Sequence, residues 1–397
     1  MKRTIVWIFA LVFGAALGLL ELDWIDETMS FVATIYTRLF QLLAVPTIVL
    51  SVISTFATFG SKGSGKIFAN TLAYTLLTTI SAAAVGATLY VIIAPDNLPA
   101  DAVGLGNAQV GTPNVSYLDH LIGIIPNNIV RPFLDGNVLS LILLAFAVGI
   151  GLSKLPESEN KSALVKSLLG LQDLLFMLIR GLVWALPLGI VAFSAQLSAQ
   201  VSAGAVAGSI GKYVLVVLGG NVIQFFVVLP LFLLSRRINP IRLLGGMAPA
   251  VMMALFTKSS AATLPVTMQS AEERVGVSKH ISRFVLPICT TINMNGCAAF
   301  ILVTSLFVMQ NGGTPITLPT ILAWLLISVI SAVGNAGVPM GCYFLTLSLM
   351  SGIGAPVAIL GVILPIYAII DMVETAENVW SDSCVCAIVD KKLGNGK

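Results

Sequence analysis

The chain has 397 residues, of which 57% are hydrophobic and only 10% charged, and its mean hydropathy is +0.97. A soluble domain carries about 25% charged residues, so this composition excludes a soluble globular enzyme and describes an all-α polytopic membrane protein whose surroundings are the lipid bilayer. The formal net charge of +3 is too small for a nucleic-acid-binding surface, and no nucleic-acid partner is expected.

The distribution of charge says more than its sum. Basic residues gather at Lys2 and Arg3, Lys62 and Lys66, Lys154 to Lys166, Arg236 to Arg242, Arg274 to Arg283, and Lys391 and Lys392. The intervening loops hold Glu21, Asp23, Asp26, Glu27, Asp96 and Asp101 or almost no charge. The positive-inside rule then puts both termini in the cytoplasm of a cell whose inner membrane holds the chain.

Apolar segments of spanning length run roughly over 4–20, 29–58, 67–94, 118–153, 168–196, 210–235, 280–309 and 355–389. The first has the basic start of a signal peptide but no small-residue cleavage site, and many spans follow, so a retained helix is expected. Several segments exceed the length a bilayer needs, which predicts tilt or breaks. Pro46, Pro126, Pro132 and Pro187 mark expected kinks or interruptions. Residues 95–117, rich in Gly, Asn, Pro and Asp, read as an exposed extracellular connection.

Two segments do not read as simple spans. Leu243 to Ala271 is apolar on both sides of Lys258-Ser259-Ser260-Ala261-Ala262-Thr263, with Pro265 beyond. Pro319 to Met350 is apolar around Gly334-Asn335-Ala336-Gly337-Val338-Pro339. Each predicts two half-helices meeting at a small, polar tip, and loop chemistry at membrane depth is tolerated only inside protein or beside a water-filled cavity. Arg242 and Arg274 put both ends of the first segment in the cytoplasm, whereas the second has uncharged flanks on the opposite side. Hairpins entering from opposite faces, each followed by a span, form an inverted repeat, the arrangement that holds midplane sites in secondary transporters.

The span after the first hairpin carries Thr290-Thr291-Ile292-Asn293-Met294-Asn295-Gly296, which weakens the helix and frees the carbonyl and amide oxygens that a hard cation such as Na⁺ needs. In the last span Asp371, Glu374, Glu377 and Asp382 lie within Ala355 to Val389, a stretch without Lys or Arg. An ionised carboxylate at that depth costs a few kcal/mol or more unless a cavity, an ion or a partner faces it. Thr375, Asn378 and Asp382 fall within about 40° of Asp371 on a helix, Glu374 is about 60° to one side, and Glu377 points elsewhere. The stripe reads as a site for cations and a polar solute. All five cysteines follow position 288. Cys384 and Cys386 project about 200° apart, which argues against a metal pair or a disulfide framework and favours packing roles for most of them.

These motifs carry a resemblance. Thr257 to Met268 at the first tip, Thr291 to Gly296, Ala336 to Pro339 at the second tip, and the Asp371, Thr375, Asn378, Asp382 series are similar to those of the dicarboxylate/amino-acid:cation symporter family, which includes the prokaryotic and animal glutamate transporters. The resemblance covers nearly the whole chain. It implies eight transmembrane helices, two re-entrant helical hairpins and a homotrimer working as an elevator, with the second hairpin as outer gate. Scaffold helices 1–2 would occupy residues 1–60 and helices 4–5 residues 118–196; helix 3 at 66–94 and residues 210–390 would form the transport domain, with hairpins at about 243–271 and 319–350.

The resemblance also implies roles. Asp371 would hold the substrate ammonium group, while Asn378, Ser259 and Ser260 would hold the carboxylate with backbone N–H groups at half-helix ends. Cys297, Val338, Gly341, Glu374 and Thr375 would line the rest of the substrate site. Asp382, Asn293 and Asn378 would form one Na⁺ site. Thr291, Met294, Cys289 and backbone near Ala332, Val333 and Asn335 would form a second, and Thr78, Thr79, Asn293 and Asn295 fall where a third lies.

Departures narrow the substrate. Where acidic-amino-acid carriers place an Arg for the substrate's side-chain carboxylate, this chain has Glu374, which repels such a group. The Ser-Ser-Ala-Ala tip and the Glu374-Thr375 pair are similar to the bacterial sodium/serine–threonine symporters, so a small neutral amino acid is expected. A basic or sulfur-containing amino acid, or proton coupling through Glu374, stays open. Asn295 replaces an Asp and Thr75 a frequent Tyr, so two Na⁺ ions are expected and a complete third site is not. Lys258 replaces a common Arg and is expected to pair with Asp371 or Glu374 when the site is empty. A primary anion channel would need charge rings or a repeated filter motif, which the chain lacks. With only His120 and His280 and no nucleophile elbow, metal motif or phosphate loop, no enzymatic activity is expected.

Overall fold

The computed structural model describes residues 2–20, 22–59, 65–98, 125–135, 138–200, 205–333, 335 and 340–393, and among these every regular element is helical. Apolar sequence in lipid must satisfy its backbone internally, and a helix does this within one segment. The first elements are α1 (Lys2–Gly18), α2 (Asp23–Phe59), α3 (Gly65–Ile93), the short α4 (Arg131–Asp135), α5 (Val138–Lys154) and α6 (Glu159–Gln200). Then α7 (Ala205–Ile223) passes through a π-helical turn, Gln224–Val228, into α8 (Leu229–Ser235). Five stretches among the described residues are long and apolar enough to cross a membrane: Gly65–Ile93, Glu159–Ile179, Gly208–Ser235, Lys279–Asn311 and Ala358–Leu393.

Some boundaries differ from the hydropathy pattern. Helices α2 and α6 run through Pro46 and Pro187 without interruption. Helix α6 begins at Glu159 rather than near 168. Ser158 initiates it, its Oγ accepting from the Lys161 N–H at 3.2 Å. The Lys161 ammonium group donates to Leu155 O at 2.8 Å, which ties the end of α5 to the start of α6. The predicted 118–153 span is described from 125 onward, excepting 136 and 137, and the 95–117 connection lies outside the described residues beyond Leu98.

Helix α6 packs against α1 and α2, and α2 packs against α5. Small residues allow the α1–α6 approach. A Cβ on Gly14 would stand 2.4 Å from Val191 O, and one on Gly18 would stand 2.0 Å from Ala195 O. Ser198 Oγ donates to Ala15 O at 2.7 Å across the same seam.

The second half of the chain builds two hairpins and two spans. The first hairpin is α9 (Pro240–Thr257) and α10 (Ser260–Gln269); its span is broken into α11 (Lys279–Ile292) and α12 (Asn295–Asn311). The second hairpin is α13 (Leu318–Ala332) and α14 (Gly341–Gly352), and its span is the continuous α15 (Ala358–Leu393). The predicted half-helices and the break at Asn293-Met294 are therefore present, with the second tip outside the described residues at 334 and 336–339. Every residue from Asn295 to Met309 is buried, as befits a helix apolar all round, and α3, α13, α14 and α15 surround it. Between α10 and α11, Glu272 accepts from Arg283 Nε at 3.1 Å and Ser282 Oγ at 2.6 Å; these bonds hold its carboxyl below the usual carboxylate range.

Gly18→Val should force α1 away from α6, an overpacking cost of about 1–3 kcal/mol. Thermal unfolding of the detergent-solubilised variant is expected at a lower temperature than wild type, and an unchanged midpoint would contradict the close approach.

Candidate functional site

Three helix N-termini meet the acidic stripe of α15. At the first, Lys258 closes α9 in a left-handed conformation (φ 55°), and Ser259 caps α10 by accepting from Ala262 N–H. Ser260 is buried and Ser259 partly so. At the second, Asn293 (ψ 73°) and Met294 (ψ 68°) leave the helical region. The α12 helix that restarts there donates Gly296 N–H to Asn378 Oδ1 at 3.0 Å. At the third, Met340 N–H donates to Asp371 Oδ2 at 3.1 Å just before α14. The partial positive charge of each end stands where a basic side chain would otherwise be needed.

The ion-ligand candidates form a connected network. Asn293 Nδ2 donates to Asp382 Oδ1 and to Ser381 Oγ, both at 2.9 Å. Thr78 Oγ1 donates to Asn293 Oδ1 at 3.1 Å, and Thr79 Oγ1 to Asn295 Oδ1 at 2.9 Å. Asn295 Nδ2 donates to Ser381 Oγ at 2.8 Å. Thr291 Oγ1 donates to Ile288 O; Cys289 O and Met294 O accept from Asn293 N and Ala298 N. Across the broken helix, Asn335 N–H donates to Ala332 O at 3.1 Å, and Val333 ends α13.

Around Glu374 the chemistry changes. Tyr367 donates to Glu374 Oε2 at 3.1 Å, while Glu374 Oε1 is buried without a hydrogen bond among the described residues. The Tyr367 ring packs on Phe300 and Tyr343, with centroids 4.5 and 5.5 Å away. Thr375 Oγ1 donates to Asp371 O at 2.7 Å, and the Asn378 amide approaches Cys297 Sγ at 3.5 Å. A Cβ on Gly296 would stand 2.9 Å from Glu374 Cα, and one on Gly341 would stand 1.8 Å from Asn335 Oδ1, so both positions need a missing side chain. Glu377 is buried with neither carboxylate oxygen hydrogen-bonded.

Most predicted site residues thus converge on α15, and Val338 lies outside the described residues. One expectation needs correction. Cys289, Cys384 and Cys386 are free and buried, as packing residues should be, but Cys297 is bonded to Cys342; a bond across 45 residues leaves no trace in local periodicity. The expected pairing of Lys258 with Asp371 is present as an electrostatic attraction, and Lys258 also donates to Ala368 O on α15 at 2.6 Å. Tyr367 and Ser381 escaped the sequence reading. Tyr367 precedes Glu374 by seven residues, within about 20° on a helix, a periodicity that could have revealed it.

Broken helices, paired half-helices and an internal ladder of carboxylates and amides describe a multi-pass membrane transporter. The sodium:dicarboxylate symporter family model matches residues 4–392, and the chain belongs to that family. It is similar to the neutral amino acid transporter B(0) of Oryctolagus cuniculus, 31% identical over 89% of this chain and 72% of the relative. It is also similar to the neutral amino acid transporter A of Homo sapiens (31% identical, 95% and 78% covered) and the excitatory amino acid transporter 3 of Mus musculus (29%, 96% and 84%). Family and relatives are transporters, not enzymes, and sodium use comes with the family.

Tyr367→Phe keeps the ring and removes the donor to a buried carboxylate, at a cost of about 1–3 kcal/mol. Its melting point should fall, and the same change in a Glu374→Gln background should cost less. Equal losses in both backgrounds would show that the pair is not coupled.

Proposed function

We propose that the protein is a Na⁺-coupled symporter that imports a small neutral amino acid, serine or threonine in character, by an elevator movement. The observation that carries this is the Glu374 carboxylate, engaged by Tyr367 through one oxygen and unbonded at the other. A substrate hydroxyl can donate to that oxygen, whereas a substrate carboxylate would meet Asp371 and Glu374 together. The names of the neutral amino acid relatives support the same choice.

In this mechanism Asp371 takes the ammonium group and displaces part of the Lys258 interaction. Ser259, Ser260 and Asn378 take the carboxylate beside the N-terminus of α10, with Cys297, Val338, Gly341 and Thr375 completing the lining. One Na⁺ binds with Asp382, Asn293 and Asn378. A second binds with Thr291, Met294, Cys289 and carbonyls near Ala332, Val333 and Asn335. Asn295, a neutral amide bonded to Thr79 where a carboxylate would be needed at the third position, supports two ions rather than three. The zwitterion and two cations balance buried carboxylates that would otherwise be costly.

The mutual packing of α1, α2, α5 and α6 supports a scaffold role for them, with α3, α7–α8, the broken span α11–α12, α15 and both hairpins travelling together and the second hairpin as outer gate. In this reading the chain spans the inner membrane eight times, keeps both termini cytoplasmic and works as a homotrimer. Apolar side chains exposed on that scaffold, including Trp24, Phe31 and Trp184, suit lipid and neighbouring protomers.

Counterflow in proteoliposomes tests the proposal. Serine, threonine or alanine should exchange when an inward Na⁺ gradient is imposed, without ATP, and aspartate should not compete. Strong inhibition by low aspartate would reject the role of Glu374. Asp382→Ala should raise the Na⁺ concentration for half-maximal binding by roughly tenfold or more, the loss of about 1.4 kcal/mol or more of ion binding; an unchanged Na⁺ dependence would refute that ion site.

A further inference from the structure

The solute pocket holds a chemistry that ion-coupled transport does not use. Cys297, in the first turn of α12, and Cys342, in the first turn of α14, are joined by a disulfide with their Cα atoms 5.4 Å apart. Disulfides span Cα separations of about 4.4–6.8 Å without moving the backbone. Both residues are 2% exposed, so the bond lies inside the protein. A carboxylate oxygen of Glu374 and the two sulfurs all lie within 4.8 Å of one another, which puts the bond beside the carboxylate assigned above to the substrate. Asn335 Nδ2 donates to both sulfurs, at 2.9 and 3.0 Å. Such a donor stabilises sulfur carrying negative charge and favours the reactive thiolate. The two cysteines sit on different moving parts, one on the broken span and the other on the second hairpin.

We propose that Cys297 and Cys342 form a thiol–disulfide exchange site that latches the second hairpin shut across the solute pocket. The inference rests on the gate role assigned to that hairpin above. With the hairpin open, one cysteine thiolate attacks a small-molecule disulfide, RSSR. A Sγ–S bond forms, the S–S bond of RSSR breaks, and RS⁻ leaves, taking up the proton the thiol released. When the hairpin closes, the second thiolate attacks the cysteine sulfur of that mixed disulfide. The Sγ–Sγ bond forms and the second RS⁻ departs, again with a proton. Two electrons pass from the cysteines to RSSR, which ends as two RSH, and a small dithiol runs the sequence backwards. In the re-entrant reading the uncharged flanks of the hairpin lie on the non-cytoplasmic side, from which an opened hairpin admits solutes and where disulfides persist.

The latch is tested on the whole protein in proteoliposomes, oxidised with cystamine or reduced with dithiothreitol, with the Cys297–Cys342 crosslink scored by peptide mass mapping. Reduction should raise Na⁺-driven serine uptake by roughly tenfold or more, since lid opening gates turnover, and cystamine should reverse the gain. Hydrogen exchange over residues 341–352 should accelerate on reduction in the wild type but not respond to either reagent in Cys342→Ala or Cys342→Ser. Exchange that ignores the mapped state of the crosslink would overturn the latch, whatever the uptake. Exchange that follows the crosslink in a protein without Na⁺-driven uptake would uphold the latch and reject the transport reading instead.

Discussion

Four carboxylates on one buried helix impose the constraint from which the rest of the architecture follows. Asp371, Glu374, Glu377 and Asp382 are each 4% exposed or less, on a span without a basic residue above Lys391. Lys258 is the buried cation that reaches them among the described residues. The chain compensates with backbone. It breaks one span and folds two hairpins so that the N-termini of α10, α12 and α14 end beside α15. Those ends supply N–H donors and dipole fields where side-chain cations would have left no room for cargo.

This solution sets the packing. The α12 end can approach α15 only where a side chain is absent, which is why Gly296 lies against the Glu374 backbone; Gly341 likewise makes room for Asn335. The carboxylates are also not equivalent. Asp371 meets a backbone N–H, Asp382 an asparagine amide and Glu374 a tyrosine hydroxyl. Glu377, about 120° from Asp371 by helical periodicity, has no hydrogen-bond partner among the described residues. In the proposed mechanism such differentiation lets one helix serve an ammonium group, a hydroxyl and an ion at successive turns.

The Tyr367–Glu374 pair concentrates the question of specificity. Both residues are buried among aromatic rings, so a substrate group entering there loses water and must find a partner. A hydroxyl finds one in the unbonded oxygen; a carboxylate finds repulsion. The disulfide beside that pair adds a covalent constraint to a region whose opening the proposed cycle requires, and it connects the two elements that must separate.

Local information was enough for much of this. Long apolar runs, the Pro-bounded polar tips, the amide-rich break at Asn293 and the spacing of Asp371, Thr375, Asn378 and Asp382 all follow from helical periodicity and the cost of polar groups in lipid, and each reappears in the folded chain apart from the second tip, outside the described residues. The early start of α6 escaped because a Ser cap outweighed the polar stretch after it. What only the tertiary structure decided is which faces meet. The bond between Cys297 and Cys342, the approach of Lys258 to Ala368 O, and the threonine–asparagine contacts from α3 all join residues far apart in sequence. Their neighbourhood is set by how the helices pack, and no periodicity within one segment encodes it.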